Sequence, residues 1–541
     1  MAAASTETFD ICVIGGGATG AGCALDGQLR GLHTILLDAV DFASAASSAS
    51  TKLVHGGVRY LEQAVKGLNL EEYRMVKNAL RERRYMLANA PHLAHASHFL
   101  VPVYSWRKAF YYLVGMKMYD AVAGKGNLFP SSFLSCKETL QRMPGLSATG
   151  LRGAVSYSDG QFDDARYDLA LVDSFVEAGG TAMNYARVTA FERATNGALS
   201  GALVRDVVSG REFLVRARKF VNATGTGADK IRKLANPHLT DRMRPSKGVH
   251  LLFPAETFPG KDALLVPHTE DERVIFAVPW QGRLLVGTTD DEVSPATRMV
   301  VQKNEANYLL RQLNPYLKIP LRPDQVVSGL AGLRPLVAVQ HHTETSRLIR
   351  DHEVELDRAS GLISILGGKW TTHRLMAEDT IDKAQRELSG AVSPCKTKDH
   401  PLSGAAGYND GFARELEKEY ALPADLAHHL AGKFGTQARR IVRLAQEMPE
   451  WKARVAAALP VIRAEIIYCV RYEMAETIED LLARRTGVQM ISWRAALEAA
   501  PSVGNLLARE KGWDAQTRDA AVAEYSRKIR SYLQELGLNE S

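Results

Sequence analysis

Apolar positions fall into short strand-like runs over the first two thirds of the chain and into helical periods over the last. Phe9-Asp10-Ile11-Cys12-Val13-Ile14 is a brief β-branched run, and Gly15-Gly16-Gly17-Ala18-Thr19-Gly20 follows it before a small-residue segment to Arg30, which predicts strand, tight turn and helix. Thr34 to Leu37 predicts the next strand. Leu70 to Asn89 has helical spacing and is stopped by Pro91. Further β-rich runs stand at Phe220 to Asn222, Arg273 to Val278, Arg283 to Gly287 and Leu362 to Leu366. A shift to Gly, Pro, Ser and Ala marks residues 390–407 as a linker. Beyond it, 408–541 repeats the helical period with few strand signals, and Glu476, Glu479, Arg484 and Arg485 read there as solvated helix faces. No internal repeat or low-complexity tract is evident.

Length and composition narrow the classes. At 541 residues the chain exceeds one compact core, and two or three domains are expected. The net charge of +6 suits acidic substrates, nucleotide phosphates or an anionic membrane surface, but its spread along the chain gives no indication of nucleic acid. The five cysteines are odd in number and show no zinc or redox spacing, which predicts a reducing compartment. Met1 to Asp10 shows neither a secretory nor a transit pattern, so a cytoplasmic location is expected. No uncharged apolar run reaches the ~18 residues of a spanning helix, and any membrane contact is expected to be peripheral.

The N-terminal pattern carries the first chemistry. Gly15, Gly17 and Gly20 have the spacing in which one glycine makes the turn, one admits a pyrophosphate to the backbone and one packs helix on strand. Phosphate would sit on the helix N-terminus. Asp38, at the end of the second strand, is placed to accept hydrogen bonds from a ribose. Ser44 to Thr51 is nearly all Ser and Ala and leads into Lys52-Leu53-Val54-His55-Gly56-Gly57-Val58-Arg59-Tyr60. Later strands end in Ala223-Thr224-Gly225 and in Gly367-Gly368-Lys369-Trp370-Thr371-Thr372. Three distant strand ends meeting at one cofactor form a flavin-protein pattern.

These segments, with Asp163-Asp164-Ala165-Arg166 and Ser328 to Pro335, closely resemble the FAD-dependent glycerol-3-phosphate dehydrogenases, among the glycine- and D-amino-acid-oxidase-like flavoproteins. The match runs from about Phe9 to Gly487, and its wording is nearer the mitochondrial type, as at Tyr73-Arg74-Met75-Val76-Lys77. The resemblance implies an α/β fold in which 1–389 holds a Rossmann-like, D-amino-acid-oxidase-like FAD-binding domain (parts about 1–100, 180–229 and 362–389) and a β-sheet substrate-binding domain, with an all-α C-terminal domain over 408–541. It implies FAD contacts from Gly15, Gly16, Gly17, Ala18, Thr19, Gly20, Asp38, Ser47, Ser48, Ser50, Lys52, Val188, Ala223, Thr224, Gly225, Gly368, Lys369 and Thr371. The mitochondrial type carries EF-hands; no acidic twelve-residue calcium loop is found here, so calcium regulation is not expected. Two positions depart from the family pattern: Thr226, where proline is usual, and His373, where tyrosine is usual and substrate fit would be affected.

The implied reaction oxidises glycerol 3-phosphate to dihydroxyacetone phosphate. It needs a base for the hydroxyl proton, a carbon held over the flavin and fixed cations for the phosphate. Arg59, Arg334, Arg350 and Lys369 are the cations in matching segments, with Tyr60 beside the first; a guanidinium fork suits phosphate better than a point charge. His55 and His250 are the candidate bases, His55 slightly favoured, and for either the alternative is hydrogen bonding to flavin or backbone alone. His92, His95 and His98 form no metal spacing and read as surface or packing residues. Tyr104 to Tyr119 mixes Trp106, Phe110, Tyr111, Tyr112, Leu113 and Met116 with Arg107, Lys108 and Lys117, which fits either a peripheral seat on an anionic membrane carrying a quinone or a buried helix with a basic edge. A glycerol-3-phosphate oxidase using oxygen, which usually has an inserted segment not seen here, and a non-catalytic flavin-binding redox module are the other readings; a homodimer is compatible with all of them.

Overall fold

The computed structural model describes residues 7–58, 61, 67, 69–267, 269–271, 273–294, 297–338 and 352–540. The strand Thr8–Ile14 is buried along nearly its whole length because it lies inside a parallel sheet covered on both faces. Its neighbours in register are Glu212–Asn222 on one side and Thr34–Leu37 on the other, both parallel to it. Ile363–Gly367 extends the parallel set beyond Glu212–Asn222, and Thr181–Met183 extends it beyond Thr34–Leu37. The antiparallel strand His352–Leu356 closes one edge, while Leu199–Asp206 and Ala186–Arg193 branch from Glu212–Asn222 as an antiparallel pair. The helix Ala18–Leu29 packs between His373–Ser389 and Asp164–Glu177 on one face of this sheet. Three parallel strands that are far apart in sequence therefore end side by side, at Ile14, Asn222 and Gly367.

A second, mostly antiparallel sheet stands beyond those ends. Its long strands are Ala94–Val103, Gly153–Phe162, Ser246–Pro254, Ile275–Trp280, Arg283–Gly287 and Ser328–Arg334. Leu53–Val54 and Ala94–Val103, which the sequence grouped with the flavin domain, pair here. One apolar core joins this sheet to the C-terminal helices, with Val249, Leu251 and Phe253 of the sheet clustered with Phe434, Ile466 and Leu507 of the helices. Those helices include Ala424–Phe434, Ala438–Glu447, Arg463–Tyr472, Trp493–Lys511 and Ala515–Leu536. Ser492 and Asp514 cap the last two by accepting from Ala495 and Thr517 N–H groups, and Gly537, in the left-handed conformation, ends the final helix.

Ion pairs tie the helical domain to the flavin-side elements. Arg166 makes two 2.8 Å hydrogen bonds to Glu473, and Lys433 donates to Asp163 at 2.8 Å, all four side chains being buried. Arg484 and Arg485 correct the sequence expectation, since both are buried and both pair with Asp41. The reason is a π-helical turn over Asp480–Arg485, which breaks the ordinary helical period on which the solvated-face reading rested. Glu476 and Glu479 keep half-exposed pairs with Lys511 and Lys528.

Tyr104 to Tyr119 lies mostly in a helix, Trp106–Ala123, capped by Ser105. Only Ala109, Met116 and Tyr119 are buried on it, while Trp106 is 63% and Phe110 72% exposed, so the buried-helix reading does not hold. Among the described residues no helix is long and apolar enough to cross a membrane.

Candidate active site

The three parallel strand ends open into a cavity of about 1240 Å³ that reaches across to the second sheet. This exceeds the roughly 300–1,000 Å³ of an ordinary small-molecule pocket, as a dinucleotide with a second small molecule at its far end requires.

At the nucleotide end, Gly15, Gly17, Ala18 and Thr19 line the wall where the helix Ala18–Leu29 begins. Gly15 has φ +104°, and a Cβ on it would stand 2.7 Å from the Ala223 carbonyl oxygen. Gly17 is extended, a conformation open to any residue, so what it supplies is space: a Cβ there would stand 2.7 Å from Ser47 Oγ. Gly16 and Gly20 lie behind the wall. Gly16 N–H donates to Asp38 Oδ2 at 2.6 Å, and Gly20 packs so closely on Gly15 that a Cβ would fall 1.7 Å from its carbonyl oxygen. Asp38 Oδ1 accepts from Val40 N–H at 2.9 Å; burial pushes its carboxyl up, opposed by these two N–H groups. Val188, Ala223, Thr224, Gly225 and Thr226 complete this end. The glycine approach, the helix N-terminus and the fixed carboxyl fit an FAD pyrophosphate and ribose.

In the middle, the small residues Ser44–Ser47 and Ala49–Thr51 lie along the cavity. Trp370 Nε1 donates to the Ser47 carbonyl at 2.9 Å, and Ala18 N–H donates to Ser47 Oγ at 2.9 Å, so two segments more than 300 residues apart fix one serine. Ser48 and Lys52 do not line the cavity. The Lys52 ammonium is buried on the far side, bonded to Asp164 and to the Ser48 carbonyl, and Asp164 also accepts from Ser50 Oγ at 2.7 Å. The Asp163–Arg166 motif thus serves the cofactor loop from behind, with Asp164 inward and Asp163 and Arg166 toward the helical domain.

His55, His250, Arg334 and Lys369 line the same cavity, as do Gly368 and Thr371. Arg334 is aimed by Thr288 Oγ1 and the Thr289 carbonyl, both 2.9 Å from Nη2, and by Asp290 at 3.2 Å from Nη1. Lys369 Nζ stands 3.5 Å from Met75 Sδ. Thr371 Oγ1 donates to the His55 carbonyl at 3.4 Å. His250 is buried, with Nε2 3.0 Å from Thr51 Oγ1. Burial pushes its pKa down to about 3, helped by the nearby Arg334 and Lys52 charges, so its ring is neutral at physiological pH. Arg59, Tyr60 and Arg350 lie outside the described residues.

Sequence reasoning missed the support behind His55. Tyr119 Oη accepts from the adjacent Gly56 N–H at 2.8 Å and donates to Asp159 at 3.0 Å, while Arg83 donates to Asp159 at 2.6 Å. Nothing in the local sequence marks these three; only the aromatic density around Tyr119 drew attention, and for another reason. His373 lies outside the cavity, its ring packed edge-on against Trp370 and Tyr167 and its Nδ1 3.0 Å from the Trp370 carbonyl. Its expected effect on substrate fit is therefore corrected to a packing role under the Gly367–Thr372 turn.

Known proteins resemble the chain along nearly all of this framework. The model of the FAD dependent oxidoreductase family matches residues 10–382, and that of the C-terminal domain of alpha-glycerophosphate oxidase matches 395–518. Bovine (Bos taurus) mitochondrial glycerol-3-phosphate dehydrogenase is 39% identical over 539 residues, covering 98% of this chain and 74% of that one. The Arabidopsis thaliana mitochondrial glycerol-3-phosphate dehydrogenase SDP6 is 38% identical over 537 residues, covering 95% and 85%. The solved glycerol-3-phosphate dehydrogenase from Bacillus halodurans, complexed with FAD, superposes with a TM-score of 0.79 at 30% identity, covering 98% of this chain and 96% of that chain.

Proposed function

We infer the reaction from one premise: this chain belongs to the FAD-dependent glycerol-3-phosphate dehydrogenase family, and FAD is its cofactor. It oxidises sn-glycerol 3-phosphate to dihydroxyacetone phosphate. The observation that carries this reading is that Arg334, Lys369, His55 and His250 line one cavity with the glycine turn, the Arg334 charge lying near the His250 ring. Arg334 and Lys369 hold the phosphate, the guanidinium giving direction and the ammonium added charge. Arg59, Tyr60 and Arg350 are assigned to the same end from the resemblance alone.

His55 takes the proton from the C2 hydroxyl. His250 is a poorer acceptor, because protonating it would place a second cation in a buried site beside Arg334; as a neutral ring it orients the substrate oxygen by hydrogen bonding. Bound FAD supplies the acceptor for the hydride that leaves C2. The second sheet contributes His250 and Arg334 to the reacting end.

Electrons leave to a membrane quinone, with the chain seated peripherally on the cytoplasmic face. The support is the helix Trp106–Ala123, whose outer face exposes Trp106, Phe110 and Tyr111 beside Arg107, Lys108 and Lys117, while Tyr112 and Met116 of its inner face line the cavity. The helix thus presents one side to the surface and another to the cavity. The test uses anionic vesicles carrying a long-chain quinone. Wild type is expected to reduce it anaerobically as dihydroxyacetone phosphate forms. Arg107→Ser, Lys108→Ser and Lys117→Ser together are expected to lose about 3 kcal/mol of vesicle binding, roughly 100-fold, while turnover with a soluble quinone persists. Unchanged vesicle binding would remove this helix from the membrane reading, and turnover in air with peroxide as the second product would favour the oxidase.

A further inference from the structure

The adenosine end of the cavity is formed by two segments, the loop carrying Asp38, Ala39 and Val40 and the loop Asn184-Tyr185 with the first residues, Ala186 to Thr189, of the strand Ala186–Arg193. The loops bind each other through their backbones: Asp38 N–H to the Met183 carbonyl at 2.9 Å, Tyr185 N–H to the Val40 carbonyl at 2.7 Å, and Ala186 N–H to the Asp38 carbonyl at 2.7 Å. Neither loop is held by the flavin-side elements alone. Asp41, three residues after the ribose carboxyl, is fully buried; it accepts from Arg485 Nη2 at 2.9 Å, from Arg485 Nη1, and from Arg484 Nε at 2.6 Å. The other loop is anchored likewise. Asn184 Nδ2 bonds both Asp41 and the Met474 carbonyl, and Tyr185 Oη bonds Asp480 at 2.9 Å. Tyr185 has φ +53°, a left-handed conformation that an aromatic residue keeps only when its surroundings impose it.

All the distant anchors, Met474, Asp480, Arg484 and Arg485, come from one stretch of the C-terminal domain that ends in the π-helical turn. A guanidinium pair buried on a carboxylate is costly to desolvate and strongly destabilising to break, so such a device fixes position more than it adds net stability. The Asp41 carboxyl is pushed up by burial but held below its ordinary range overall by the two guanidiniums, and it stays charged.

We propose that the C-terminal helical domain is part of the cofactor site, with Arg484 and Arg485 acting through Asp41 as positioning residues that hold the adenosine-side loops around FAD. This rests on the assignment of Gly15–Gly20 and Asp38 to the nucleotide. The domain is thereby a condition of FAD retention, and loosening its grip on Asp41 releases cofactor before it alters substrate handling.

The test compares Arg485→Met, Tyr185→Phe and Arg283→Met by FAD fluorescence titration of the apoproteins, with the melting curve of each recorded. Arg283 donates to the Ile491 carbonyl and so also crosses to the helical domain, but neither residue lines the cavity. Arg485→Met is expected to weaken FAD binding 10- to 100-fold, with turnover rising toward wild type as FAD is added and with KM for glycerol 3-phosphate unchanged. Arg485→Lys is expected to recover part of the affinity. Tyr185→Phe, mild enough to fold if Arg485→Met does not, is expected to weaken FAD about 3- to 10-fold. Arg283→Met is expected to bind FAD as wild type does. Wild-type affinity in Arg485→Met or in a folded Tyr185→Phe overturns the proposal, as does an equal loss in Arg283→Met. Gly17→Val, run alongside, separates the two failures: if it retains FAD, the nucleotide assignment itself is wrong.

Discussion

The two ends of the cavity are built on opposite plans. The nucleotide end is made of backbone and of missing side chains: Gly15 and Gly17 leave room, Gly20 lets helix and strand touch, and one carboxyl, Asp38, is fixed by two main-chain N–H groups. The substrate end is made of long polar side chains from widely separated segments, each aimed by a partner from another segment, as Arg334 is by Thr288 and Asp290. Adding atoms should break the first, and removing atoms the second. A site that receives a large rigid cofactor needs close approach along its length, whereas a site that handles one small anion and one proton needs a few groups at fixed positions.

The largest expected effect is at the substrate end. His55→Asn is expected to slow flavin reduction by roughly 10²- to 10⁴-fold, the usual worth of a positioned base, with FAD content unchanged. His250→Asn is expected to cost less. Because His250 is held near about 3, any acid limb of the reduction rate above about pH 5 should vanish in His55→Asn and persist in His250→Asn. The reverse pattern in a stopped-flow pH series would exchange the two roles.

At the nucleotide end, Gly17→Val is expected to fold but to bind FAD about 10- to 100-fold more weakly, since the added isopropyl group meets Ser47 and the approaching phosphate, and overpacking of this kind costs about 1–3 kcal/mol. Full flavin absorbance in the purified variant would contradict the assignment of the turn. An effect of the same order sharpens the contrast. Arg334→Ala is expected to lower kcat/KM for glycerol 3-phosphate by about 1.5–3 kcal/mol while leaving the slow oxidation of glycerol nearly unchanged. Equal losses for both substrates would make Arg334 a structural residue, holding Asp290 and Thr288 rather than phosphate.

The same contrast explains what the sequence made legible. The glycine turn, Asp38 and the strand ends at Ala223 and Gly367 were readable because a backbone demand is local: a turn needs its glycines at fixed spacing whatever surrounds it. The short run Thr34–Leu37 was placed to the residue for the same reason. Long side chains carry no such mark. Lys52 stands in a cofactor-lining segment yet turns away to Asp164, and Arg484 and Arg485 look solvated until the π turn and the buried Asp41, more than 440 residues earlier, are seen together. Tyr119, Asp159 and Arg83 support Gly56 through contacts that only the folded chain creates.

The most direct test of the account is anaerobic titration of the purified holoprotein with glycerol 3-phosphate while the flavin spectrum is followed. Stoichiometric bleaching, with dihydroxyacetone phosphate formed in equal amount and far slower bleaching by the same concentration of glycerol, is the predicted result. A flavin that stays oxidised under glycerol 3-phosphate, or that is bleached as fast by glycerol, would contradict the account.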